Sequence, residues 1–107
     1  MADIADLQDN AVHASALLKT LANEWRLMIL CHLTETELSV GELERILGLN
    51  QSALSQHLAV LRRQGIVKTR RQAQQIYYSI ANDKATSIIS KLYDLYCAAD
   101  AGGGQKN

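Results

Sequence analysis

Apolar residues recur at helical spacing along most of this chain, and strand-like runs occur only between Ile66 and Ile80. Val12, Ala16, Leu17 and Leu21 lie near one stripe and predict a first helix over residues 10–21. Asn23 is suited to cap a second helix reaching to about Leu33, with Trp25, Leu27, Leu30 and Cys31 at helical intervals. Ser39 and Glu42 have the S-x-x-E spacing of a capping box and open a third helix through Leu47. Gly48 supplies a turn, Leu49 is expected to pack inward, and Asn50 caps a fourth helix over 51–64. Gly65 suits the left-handed position just past that helix. Ile66-Val67-Lys68-Thr69 and Ile76-Tyr77-Tyr78-Ser79-Ile80 then read as two strands, with the polar stretch 70–75 forming the tip of a hairpin. A last helix over 83–98 places Ile88, Ile89, Leu92, Leu95 and Tyr96 on one apolar face.

This pattern predicts a mainly α domain with a small β-hairpin: five helices and a wing, arranged as a winged helix-turn-helix. With 107 residues there is one domain, placed at 9–100 between mobile flanks at 1–8 and 101–107. A core of this size is modest, and a second protomer would help to complete it.

Charge adds the direction of function. Eleven basic and eleven acidic residues cancel, but they are segregated. Residues 1–45 carry eight acidic groups against Lys19, Arg26 and Arg45, and no Asp or Glu occurs between Glu44 and Asp83. That acid-free interval holds Arg45, Arg62, Arg63, Lys68, Arg70 and Arg71. DNA responds to the local field, so the interval matters more than the total.

Within the fourth helix, Leu54, Leu58 and Leu61 repeat on one side and should face the core. Gln51, Ser52, Ser55, Gln56 and His57 then face outward, where Gln can bond an adenine edge and Ser a base or phosphate. Arg62 and Arg63 at the helix end, with Arg70 and Arg71 on the wing, are candidate phosphate partners. His57 taken alone fits a surface histidine as well as a DNA contact.

Other classes find little support. No apolar run reaches the length of about 18 residues that a membrane span needs. The acidic start lacks the basic and apolar segments of an export signal. Two cysteines in such a chain point to free thiols in a cytoplasmic setting. C-x-x-C, a Gly-rich cofactor loop and a catalytic His/Asp constellation are all absent from the sequence, so neither an enzyme nor a cofactor is expected.

The run LLKTLANEWRLMILCHL, followed by ELSVGELERILGLNQSALSQHLAVLRRQGIVKTRRQAQQIYYSI, resembles the ArsR/SmtB family of transcriptional repressors over residues 16–97. Its most specific pieces are Arg26-Leu27 with Ile29-Leu30, Gln51-Ser52, Ser55-Gln56-His57-Leu58, Leu61-Arg62, Gly65-Ile66-Val67 and Tyr77-Tyr78. The resemblance implies a homodimer paired through its first and last helices, bound to double-stranded operator DNA until an inducer acts.

The sequence departs from the metal-sensing pattern of that family. Leu38, Ser39, Val40 and Gly41 stand where metal sensors carry cysteines, and the last helix offers Asp83, Asp94 and Lys91 but no histidine. Three scattered histidines and two cysteines supply no obvious set of ligands, so no metal site is expected. Cys31 and Cys97 instead resemble the reactive-sulfur branch, in which sulfane sulfur or an oxidant links two thiols and weakens DNA binding. A direct disulfide would need Cα atoms within about 7 Å, whereas inserted sulfur bridges a wider gap. Inert cysteines in a constitutive or metal-sensing regulator are the alternative, since Cys31 on an apolar face is also a good core residue.

Overall fold

The computed structural model describes residues 4–98. The elements are α1 (Ile4–Leu21), α2 (Glu24–Leu33), β1 (Leu38–Ser39), α3 (Val40–Leu47), α4 (Gln51–Arg63), β2 (Val67–Gln72), β3 (Gln75–Ile80) and α5 (Asp83–Tyr93), closed by a π-helical turn over Asp94–Ala98.

Local signals set most boundaries. The Asn23 side chain accepts from the backbone N–H groups of Trp25 and Arg26 and starts α2. Ser39 and Glu42 form the reciprocal capping box of α3. Asn50 and Asn82 cap α4 and α5 in the same manner, each accepting from an N–H three residues on. Each cap satisfies a helix-end donor that has no intrahelical partner. Gly48 (φ 70°) and Gly65 (φ 74°) occupy the left-handed region at the two ends of α4. A side chain in that region is disfavoured, which ends α3 and α4 where the sequence places glycine.

The core is one aliphatic cluster. Ile29, Leu30 and Leu33 of α2 meet Leu43 and Leu47 of α3, Leu54, Leu58 and Leu61 of α4, and Ile89 of α5. Ile66 and Val67 close it below the hairpin, and Leu49 packs partly against it. Arg26 Nε donates to the Thr20 carbonyl oxygen at 2.7 Å, tying α2 to the end of α1.

Several expectations differ from the structure. The first helix begins at Ile4 rather than Asn10, so part of the expected flank is helical. Residues 1–3 and the tail 101–107 lie outside the described residues. Of the α1 stripe only Leu21 is buried and Leu17 half-buried, while Val12 is 67% exposed. The hairpin strands run through Gln72 and Gln75, leaving only Ala73 (φ 58°) and Gln74 as the turn. No Gly, Pro, Asn or Asp lies between Val67 and Gln72 to end the strand early. A third strand, β1, pairs antiparallel with β3 and gives the order β1-β3-β2. The α5 face is buried at Ile89 but open at Leu95 (57%) and Tyr96 (62%), because the helix runs past the end of the core.

Candidate nucleic-acid interface and thiol pair

The helix α4 presents its leucine side to the core and its polar side outward. Gln51, Ser52, Ser55 and Gln56 are exposed, as the leucine spacing requires. His57 is not among them. It is half-buried, and burial, with the Arg26 guanidinium nearby, holds its imidazole below the ordinary histidine range. It lies near Arg26 of α2 and is less open to solvent than the four polar residues beside it.

Arg62 and Arg63 sit in the last turn of α4, exposed. Together with Ser55, Ala59 and Tyr78 they line an open cleft between this helix and the hairpin. In the sequence Tyr78 stands out as a strand and family-motif residue, not as a site residue. Its position follows from register: it pairs with Thr69, so it shares a sheet face with Val67 and Thr69. That face looks toward α4.

The two wing arginines diverge. Arg71 pairs across from Ile76, on the Tyr78 side of the hairpin, and has no partner among the described residues. Arg70 pairs across from Tyr77, on the opposite face. Its Nε donates to both carboxylate oxygens of Glu37 at 3.1 Å, its Nη2 also reaches Glu37, and Nη1 donates to Gln72 Oε1 at 2.7 Å. Its guanidinium lies 4.9 Å from the centre of the Tyr77 ring. The hydrogen bonds from Arg70 hold the Glu37 carboxyl below the usual range. Arg70 and Arg71 look equivalent in the sequence because adjacency hides the alternation of a strand.

The thiols lie at the other end. Cys31 on α2 lines a cleft of about 560 Å³ with His32, Glu35, Ser90, Tyr93 and Asp94. Cys31 is half-buried and Cys97, in the π turn, is exposed; neither is in a disulfide. Burial pushes the Cys31 thiol above its ordinary range, and the charge of a Cys97 thiolate adds to this. The fold thus brings the two sulfurs, 66 positions apart, into electrostatic reach. Among the described residues, no group of three or more His, Cys, Asp or Glu could hold a metal. No helix there is long and apolar enough to cross a membrane.

A capped helix pair meeting at a left-handed glycine, with a basic cleft and a hairpin beside the second helix, defines a winged helix-turn-helix DNA-binding protein. Residues 23–69 match the model of the bacterial regulatory protein family arsR. The transcriptional activator HlyU of Vibrio cholerae is 49% identical over 98 residues, covering 92% of this chain and 91% of that protein. The biofilm growth-associated repressor of Agrobacterium fabrum is 50% identical over 94 residues, covering 88% and 80%. The structure of reduced HlyU from Vibrio cholerae superposes with a TM-score of 0.85 at 50% identity, covering 88% of this chain and 99% of that one. The chain belongs to the arsR family, and it is a DNA-binding transcriptional regulator rather than an enzyme.

Proposed function

We propose that this protein is a homodimeric, cytoplasmic repressor whose hold on operator DNA is released when sulfane sulfur links Cys31 to Cys97. The carrying observation is that Cys31 of α2, half-buried, and Cys97 of the α5 extension, exposed, lie within electrostatic range of each other.

The division of labour follows from exposure. Cys97 is reached first by a donor in solution, and Cys31 is kept as a thiol by its surroundings at neutral pH. A thiolate attacks the outer sulfur of a small persulfide, releases the donor's thiol and becomes a protein persulfide. When both cysteines have reacted, one persulfide attacks the inner sulfur of the other and expels hydrogen sulfide. Two thiols and two donor persulfides thereby give one trisulfide, one hydrogen sulfide and two donor thiols. The cysteines are oxidised, and one sulfane sulfur is reduced to sulfide.

The dimer is supported by what the protomer leaves uncovered. Ile4, Leu7, Val12 and Leu18 of α1 are exposed, as are Leu95 and Tyr96 beyond α5. An 18-residue helix with so little cover gains most of its stability from packing, which a second protomer would supply. A link between α2 and the α5 extension would then redraw the dimer and shift the spacing of the two α4 helices. A 100-fold loss of affinity requires only about 2.8 kcal/mol of coupling.

Parallel treatment with persulfide, peroxide and disulfide, followed by intact mass and operator binding, tests this mechanism. Persulfide should add a bridged product and release DNA. Cys31→Ser and Cys97→Ser should each bind operator but keep it under persulfide. Normal release by either variant would return that cysteine to a packing role.

A further inference from the structure

The Glu37–Arg70 pair takes no part in the proposed thiol switch or in the polar face of α4. It joins the segment ahead of β1 to the far strand of the sheet, over the intervening β3. In the observed registers Ser39 and Arg70 both pair with Tyr77, so Ser39, Tyr77 and Arg70 form one row across the sheet. Glu37, two residues before Ser39, lies on the same face by alternation. Glu37 reaches diagonally across, and the guanidinium is caught between its carboxylate, the Tyr77 ring and Gln72.

Three contacts on one guanidinium fix the strand β2 at its outer half, where the core no longer holds it. The burial pattern of β2 shows this: Val67 is buried, and Arg70, Arg71 and Gln72 are exposed. An exposed two-stranded ribbon is marginal without further ties. Glu37 is in turn anchored, because Ser39 beside it is buried and caps α3. The pair therefore links the angle of the wing to the start of the helix-turn-helix.

We infer that Glu37 and Arg70 act together as a brace that sets the wing, so that Arg71, on the opposite face beside Tyr78, is the wing's phosphate contact and Arg70 is not. The inference rests on the protein's binding DNA through α4 and the wing. It assigns Arg70 as a positioning residue and gives Glu37, an acidic residue next to a DNA-binding surface, a purpose.

The test uses the full chain and an operator selected by the wild-type protein, titrated between about 50 and 200 mM salt. Arg71→Ala should flatten the log–log salt slope by about 0.9 per protomer, or about 1.8 for a dimer. Glu37→Gln and Arg70→Ala should leave the slope unchanged and weaken operator binding by roughly fivefold each, the size of effect an exposed pair can exert. Their effects should not add, and their thermal midpoints should match the wild type, since the pair is largely open to solvent. The charge-swapped protein, with Glu37→Arg and Arg70→Glu together, should recover part of the lost affinity.

A slope flattened by Arg70→Ala as much as by Arg71→Ala would overturn the inference. So would a charge swap that binds worse than either single variant, or tighter binding by Glu37→Gln, which would make Glu37 a competitor of phosphate. Absence of salt-dependent binding by the wild type would defeat the underlying DNA-binding reading, and that control alone identifies it.

Discussion

Replacing Ser55 and Gln56 together by Ala should remove operator preference while leaving the protein folded and still able to bind DNA. Both side chains are exposed on α4 and have no partner among the described residues. Neither touches the Leu54–Leu58–Leu61 side that joins the core. Ala is the better helix former, so the change in stability should stay within about 0.5 kcal/mol. Recognition is different. A Gln paired with the correct base is worth about 1–3 kcal/mol of discrimination, and a dimer uses it twice. Water in an open groove replaces part of the lost bonding, which favours the lower half of that range. Two half-sites then lose about 2–4 kcal/mol, or roughly 30- to 800-fold in the operator-to-random ratio. Binding to random DNA, for which Arg62, Arg63 and Arg71 are the proposed phosphate partners, should hardly change. Fluorescence anisotropy with the selected operator and a scrambled duplex, at one salt concentration, measures both. An unchanged ratio in the double variant would show that this face of α4 does not read sequence.

Three further outcomes are expected. The wild-type salt slope should lie near −5, since Arg62, Arg63 and Arg71 give about six phosphate contacts per dimer; a value near −9 would mean that Lys68 and Arg70 engage as well. Because the folded state holds the His57 pKa below its unfolded value of about 6.5, folding stability should be complete above that pH and fall as pH drops through the window below it. His57→Asn should flatten that part of a urea-denaturation pH series, and an unaltered profile would contradict the buried placement. Gly65→Ala should cost about 1–2 kcal/mol from its left-handed backbone alone, because nothing lies within 4 Å of an added Cβ. A loss below about 0.5 kcal/mol in chemical denaturation would show that the α4–wing junction relaxes freely.

Local signals made the helices legible. The caps at Asn23, Ser39 and Asn50 satisfy backbone donors only a few residues away. Gly48 and Gly65 mark turns by their own conformational freedom, and the leucines of α4 report their buried side by spacing alone. These are short-range effects, so a string of residues contains them. The exposure of Gln51, Ser52, Ser55 and Gln56 followed at once, because the opposite side of the helix was already assigned.

What tertiary structure decided depends on partners distant in the chain. Strand β1 is two residues long and exists only because β3 is there to pair with it. Arg70 and Arg71 are adjacent in sequence, yet hairpin register puts them on opposite faces, and Glu37, 33 positions from Arg70, claims one of them. His57 is half-buried because α4 packs near Arg26 of α2. Cys31 and Cys97 carry no local sign of each other, and only the packing of α2 near the α5 extension brings one within electrostatic range of the other. Periodicity tells which way a side chain points; which group it meets there is set by how the elements stack.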